Sequence, residues 1–256
     1  MFWTVVAAVL GLIFGSFATA VAYRVPKRES LGGRSHCPHC GATIRALDNI
    51  PLISYLVRRG RCGQCGERIH IRYPLIEATT ALLFVLARLE FGVTMRGVTF
   101  AAFFWVLVVL CVIDLEHKLL PNRVVYPAFV AGWALLTITA VVEGDPMRLT
   151  GAAYGALIFG GFFTLVAFIY PAGMGGGDMK LAFVLGTFLG FLRSPGLVLL
   201  GMFLSFLSGG LGGLLVMGLG GGGRKTQIPF GPFLALGTVL AVLVGDPLLD
   251  AYLSSY

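Results

Sequence analysis

The sequence predicts an all-α membrane protein: a polytopic bundle of about eight transmembrane helices with a small cytoplasmic four-cysteine zinc domain between helices 1 and 2. Three observations carry this. Hydrophobic residues make up 57% of the chain and charged residues 12%, with a mean hydropathy of +0.88, a composition that excludes a soluble globular domain. The apolar residues come in runs of about twenty, the length that crosses a hydrocarbon core as a helix, and not in the alternating segments of a membrane barrel. One stretch, residues 24–73, differs from everything else: it is basic, punctuated by Pro and Gly, and carries four of the five cysteines.

The first run, Phe2 to Tyr23, is uncharged and is followed at once by Arg24, Lys27 and Arg28. It lacks a basic segment ahead of it, so it reads as a retained span and not a cleaved signal peptide, with the N-terminus outside. Gly11 and Gly15 have the G-x-x-x-G spacing of close helix packing. After the basic stretch, further runs cover 74–91, 98–114, 124–142, 151–171, 179–192, 196–218 and 230–249; the sixth of the eight is short and the seventh Gly-rich. The segment Gly218 to Arg224 reads as a flexible inner loop. Charge tests the count. With the N-terminus outside, inner segments hold the ten Lys and Arg of Arg24 to Arg72 together with Lys118, Arg123, Lys180, Arg224 and Lys225, whereas only Arg88, Arg96, Arg148 and Arg193 fall outside. That asymmetry supports eight spans with both termini outside. The net charge of +7 is then a cytoplasmic-loop signature that favours lipid headgroups, and no nucleic-acid partner is expected. The chain divides into a first span, 1–23, a cytoplasmic domain, 24–73, and a seven-helix membrane domain, 74–256.

Within the cytoplasmic domain, Cys37-Pro-His-Cys40-Gly41 and Cys62-Gly-Gln-Cys65-Gly66 are two matched C-x-x-C pairs with 21 residues between them, slightly beyond the ribbon spacing of about 15–20. Two such turns complete a closed tetrahedral thiolate site suited to structural Zn2+. The reducing compartment argues against disulfides, and the domain is too small to build a core of its own. His36, His39 and His70 read as bystanders.

The stretch Pro171-Ala-Gly-Met-Gly-Gly-Gly-Asp178-Met-Lys180 puts a carboxylate at the junction of two spans. A charge at bilayer depth costs about 2.5–3.5 kcal/mol on insertion scales, which makes Asp178 a functional candidate; as a cap of the next helix it has a structural reading too. The glycines let the backbone turn and let a partner approach. The topology brings a second carboxylate, Asp114 at the inner end of the third span, to the same face. Two close carboxyls share a proton, so that one activates water while the other donates to a carbonyl oxygen, and peptide hydrolysis can run on that pair alone. Two other readings stay open at this level: a proton- or ion-coupled transporter using Asp114 and Asp178 as a relay, and a membrane-anchored zinc module that binds partners. Glu77, near the cytoplasmic start of the second span, reads as a residue that orients that helix or touches the loop domain.

Several motifs in order resemble one family. Gly11-Leu-Ile-Phe-Gly-Ser-Phe17, the paired knuckles, Asn49-Ile-Pro-Leu-Ile-Ser-Tyr55, Arg72-Tyr-Pro-Leu-Ile-Glu77, Ile113-Asp114 with Leu120-Pro121, Gly175-Gly-Gly-Asp178-Met-Lys180 and Pro229-Phe-Gly-Pro232 are similar to those of the bacterial type IV prepilin peptidases, over nearly the whole chain. The resemblance implies an inner-membrane GxGD-type aspartic protease. Such an enzyme removes the short basic leader from type IV prepilins or type II secretion pseudopilins on the cytoplasmic side, after Gly. It then N-methylates the new N-terminal residue with S-adenosylmethionine. By motif, the catalytic pair is Asp114 and Asp178, and the zinc ligands are Cys37, Cys40, Cys62 and Cys65. Asn122 departs from the pattern, since an acidic residue is expected after Leu-Pro. No G-x-G-x-x-G follows a strand, so a Rossmann-type methyl-donor site is not visible, and Arg72 and Glu77 are the candidates for one.

Overall fold

The computed structural model describes residues 1–37, 39–170, 175–218 and 229–254. Pro171 to Met174 and the whole glycine run after Gly218, with Arg224 and Lys225, lie outside the described residues. Among those described, the helices are α1 (Phe2–Arg24), the short α2 (Ile53–Val57), α3 (Arg72–Phe91), α4 (Met95–His117), α5 (Asn122–Val142), α6 (Arg148–Ile169), α7 (Gly176–Phe191), α8 (Pro195–Gly218) and α9 (Gly231–Leu253). Every apolar run of the sequence has become a long helix, so the protein is an all-helical multi-pass membrane protein. Six of the long helices are apolar and long enough to cross a membrane. The exceptions are α3, which carries Arg72, Glu77, Arg88 and Glu90 within its 20 residues, and α7, which has only 16.

Three boundaries differ from the sequence reading. The third span does not stop at Asp114: α4 continues to His117, and the chain turns at Lys118 with φ 52°. Asp178 does not precede its helix but sits in the first turn of α7, which opens at Gly176. The last span does not stop at residue 249: α9 runs on to Leu253, with Pro247 inside it.

By its contacts the chain forms two compact units, Met1–Val109 and Leu110–Tyr256, with the boundary inside α4. In the first unit α1 lies against α3. A Cβ at Gly11 would come within 2.5 Å of Ala81 Cα, and one at Gly15 within 2.6 Å of Glu77 Cα. The two backbones are in contact because glycine removes the side chains between them. Trp105 donates its indole N–H to the Phe14 carbonyl at 2.8 Å and stacks on Phe17, which fixes the first half of α4 to α1. Where the chain leaves α1, the Arg24 guanidinium gathers the carbonyls of Ser30, Leu31 and Gly32 at 3.3, 2.8 and 3.0 Å.

The second unit is built around α7. Leu181, Ala182 and Val184 to Phe191 are all buried, with α5, α6, α8 and α9 packed against them. The α6–α7 pair is the tightest: a Cβ at Gly151 would lie 2.5 Å from the Gly190 carbonyl oxygen, and one at Gly190 would lie 2.8 Å from Gly155 Cα. At the end of α7 away from Asp178, Asp145 receives Arg193 at 2.9 Å and Arg148 at 3.2 Å, clasping the α5–α6 connection to the α7–α8 connection.

Backbone contacts cannot absorb a new side chain by rotamer change. Gly155→Leu should therefore destabilise the protein by about 1–3 kcal/mol or more, read as a fall in the thermal unfolding midpoint in detergent. Gly161→Ala on the same helix, where a Cβ meets nothing within 4 Å, should leave the midpoint unchanged.

Candidate active site and metal centre

The two C-x-x-C turns fold alike. Cys37 N–H bonds the Ala42 carbonyl at 2.9 Å and Gly41 N–H returns to Cys37 at 2.9 Å; in the second turn Cys62 N–H bonds Glu67 at 2.8 Å and Gly66 N–H returns to Cys62 at 3.0 Å. An antiparallel bridge, His36 with Thr43 and Arg61 with Arg68, closes each turn. Gly41 and Gly66 stand at φ 68° and 71°, a left-handed conformation in which a Cβ is strained, and this explains the Gly after each pair.

The turns bring the thiols of Cys37, Cys40, Cys62 and Cys65 within 4.8 Å of one another, and Cys37 and Cys65 sulfurs are 3.9 Å apart. None is in a disulfide. A tetrahedral site with metal–sulfur bonds of about 2.3 Å has sulfur–sulfur edges of about 3.8 Å, so the cluster has the size and donor set to hold Zn2+. Its electrostatics agree. The backbone amides of Cys65 and Gln64 pull the Cys62 thiol down to about 6. At Cys65 the Glu67 amide pulls the same way, but desolvation and the three neighbouring sulfurs push the thiol up to about 12. Four thiolates this close need a cation between them. The histidines are not in the cluster, and His70 Nδ1 instead accepts the Arg72 N–H at 3.1 Å.

An open cleft of 640 Å³ lies beside the cluster, walled by Ile53, Ser54, Val57, Arg58, Arg61 and Cys62. One wall is held by the ion pair of Arg58 with Asp48. Glu77 and Arg72 do not line it. Glu77 is buried, and its carboxylate accepts the Leu52 N–H at 2.8 Å and a hydrogen bond from Ser16. Leu52 is a non-glycine residue at φ 57°, a conformation that persists only where its surroundings hold it. Glu77 therefore pins the turn of the loop to the α1–α3 pair. Arg72 lies over its neighbour Tyr73, with the guanidinium 4.9 Å from the ring centroid.

In the second unit, the last turn of α4 carries Asp114 and the first turn of α7 carries Asp178. Asp114 is 5% exposed and accepts the Gly231 N–H, from the start of α9, at 3.0 Å. Asp178 is half-buried, lies within electrostatic reach of Asp114, and accepts a hydrogen bond from the Gly175 backbone. Gly175 is the N-cap residue of α7, so Asp178 ties back to the start of its own helix while lying within electrostatic reach of Asp114. Gly175 to Gly177 before it are not a left-handed turn: Gly175 has φ −71° and ψ 138°, and none of the three has a positive φ. Their role is steric. A Cβ at Gly177 would come within 2.9 Å of Leu120 Cβ, whereas Gly176 faces open space. Lys180 donates to Asn122 Oδ1 at 2.8 Å, so the neutral residue that departs from the expected pattern is the tether between α5 and α7. The loop carries the acidic residues Glu29, Asp48 and Glu67, of which Asp48 is paired with Arg58.

Sequence reasoning missed Gly231 as the partner of Asp114. Its signal was present in Pro229-Phe-Gly-Pro232, a Gly–Pro pair opening an apolar run, but nothing local says which side chain takes the free amide.

With this geometry in place, comparison with known proteins is informative. Residues 9–91 match the bacterial peptidase A24 N-terminal domain and residues 101–214 match the type IV leader peptidase family. A prepilin leader peptidase/N-methyltransferase of Bacillus subtilis is 34% identical over 246 residues, 96% of each chain. Proteins of the same name are 35% identical in Pseudomonas aeruginosa, over 95% of this chain and 91% of that one, and 39% identical in Aeromonas salmonicida, over 87% and 75%. No solved structure matches the chain. Full-length similarity to these relatives, with both family regions in order along the chain, makes this protein a member of the type IV leader peptidase family.

Proposed function

We propose that the protein is a membrane aspartic endopeptidase and N-methyltransferase. It removes the basic leader of a type IV prepilin or type II secretion pseudopilin after Gly and methylates the new N-terminal residue. The observation that carries the hydrolytic half is that Asp114 of α4 and Asp178 of α7 lie within electrostatic reach of each other, each held by a backbone amide. The names of the relatives support the substrate and the pairing of two activities.

In this reading the scissile carbonyl lies between the two carboxyls, beside the open space at Gly176. The ionised carboxyl takes a proton from water as the water oxygen bonds to the carbonyl carbon, and the protonated one gives its proton to the carbonyl oxygen. When the C–N bond breaks, the amine takes the proton first removed from water, and a hydroxyl proton of the intermediate returns to the other carboxylate. No nucleophilic side chain is needed.

Cys37, Cys40, Cys62 and Cys65 would hold Zn2+ as a closed structural site that stabilises the loop. S-adenosylmethionine supplies an electrophilic methyl group to the new terminal amine, and residues 24–73 between the span 1–23 and the membrane domain 74–256 are the proposed seat of the transfer. Glu77 acts there through the Leu52 turn, and Arg72 opens the helix that returns the chain to the membrane. The positive-inside asymmetry of the sequence supports a bacterial inner-membrane location with both termini periplasmic and with the zinc domain and the aspartates on the cytoplasmic side.

Purified protein incubated in detergent with a prepilin tests the dyad. Asp114→Asn and Asp178→Asn should each lower cleavage by about 10²–10⁴-fold while methylation of a pre-cleaved substrate persists; cleavage by either variant at the wild-type rate rejects the pair, and proton flux into liposomes without cleavage replaces it with transport. Replacing all four cysteines by serine should remove zinc from the purified protein, as measured by metal analysis, and unchanged zinc content rules the site out. Zinc should also be released on acidification and retained on alkalinisation, because its ligands bind as thiolates and protons compete for them.

A further inference from the structure

The Gly231 amide does more than open a helix. Asp114 is nearly excluded from solvent, and its Oδ2 receives the Gly231 N–H at 3.0 Å. Gly231 is the first residue of α9, with Phe230 as N-cap, so its N–H is one of the donors a helix start leaves without an intrahelical partner. The carboxyl of one helix thus completes the end of another that follows it by more than a hundred residues, and the positive end of α9 faces a group that carries negative charge during reaction.

The turn bearing this amide is anchored from several directions. The Phe230 ring lies 5.8 Å from Phe206 and 6.2 Å from Phe163 between centroids, and a Cβ at Gly209 of α8 would come within 2.6 Å of it. One turn further along α9, Ser205 and Ser208 of α8 reach the carbonyls of Leu234 and Phe233 at 3.3 and 3.4 Å. Pro232 restricts the backbone immediately after Gly231. The donor is therefore a fixed point, and the carboxyl adapts to it. Space is as restricted as direction: a Cβ at Gly231 would lie 2.7 Å from Asp114 Oδ2 and 3.3 Å from its Cγ, so any other residue there displaces the carboxyl and not a loose side chain.

We propose that Gly231 is a positioning residue for hydrolysis, its N–H aiming Asp114 and its missing side chain giving Asp114 the space to point toward Asp178. This rests on the reading of Asp114 and Asp178 as the catalytic pair. A misplacement of about 1 Å costs on the order of 10²-fold in a reaction that depends on alignment, and the effect falls on kcat, because Gly231 faces the carboxyl and not the substrate.

The test compares wild type, Gly231→Ala, Asp114→Asn and the control Gly210→Ala, whose Cβ on α8 meets nothing within 4 Å, on a prepilin in detergent. Gly231→Ala should lower kcat at least about tenfold with KM within about twofold of wild type, and Gly210→Ala should match wild type in both. Thermal unfolding of Gly231→Ala, Asp114→Ala and the double variant covers the case in which Gly231→Ala folds poorly. The penalty of the alanine at 231 should vanish once the Asp114 carboxyl is gone, because the two substitutions act on one contact. Wild-type kcat for Gly231→Ala, a loss confined to KM, or stability penalties that simply add would each overturn the proposal. Cleavage that survives Asp114→Asn overturns instead the catalytic pair on which it rests.

Discussion

Carboxyl groups taken out of water must find hydrogen bonds or the structure that buries them is not stable. In this protein the two carboxyls at the heart of the second unit are served by backbone amides at helix starts, Gly231 for Asp114 and Gly175 for Asp178. Much else follows from that solution. The amides must be delivered at fixed positions, so the starts of α7 and α9 are held by neighbouring helices. The donors must approach closely, so both residues are glycine. The helices that carry the acids must not slide, so α7 is packed on its flanks and clasped at its far end by Asp145 with Arg148 and Arg193.

The first unit solves a different problem by other means. Its loop contributes little to any apolar core; Ile53, Leu56 and Val57 are all exposed. Order comes from three polar devices instead: the thiol cluster, the Arg24 guanidinium across the carbonyls of Ser30, Leu31, Gly32 and Arg34, and Glu77 at the Leu52 amide. The last two tie the loop to the helix pair, Arg24 from the end of α1 and Glu77 from α3. Since Gly15 lies against Glu77 Cα, the packing of α1 on α3 and the shape of the loop turn share a residue.

How much of this the sequence discloses depends on the range of the interaction. Spans, knuckles and the Gly11–Gly15 face are written in local periodicity and spacing, and they appear in the structure nearly where expected. Asp178 and Asp114 were legible as costly residues, and charge asymmetry put them on one face. Helix ends were less legible: α4 runs past Asp114 because the interfacial residues Leu115 to His117 remain compatible with a helix, and α7 starts before Asp178 because glycine tolerates helical angles as well as loop angles. Glu77 was singled out for its charge, but a charge does not say what it bonds, and its partner Leu52 carries no polar signal. Gly231 is the extreme case, since an amide is present at every non-proline residue and only tertiary structure selects one.

The length of α7 has a consequence for the reaction medium. Sixteen residues of helix rise about 24 Å, less than the roughly 30 Å of a typical hydrocarbon core. Such a helix, wrapped by α5, α6, α8 and α9, does not by itself reach across the hydrocarbon layer. Hydrolysis consumes a water molecule that hydrocarbon excludes, and the carboxyl on this short helix stands in its first turn and not at its middle, at the end of α7 opposite the Asp145 clasp.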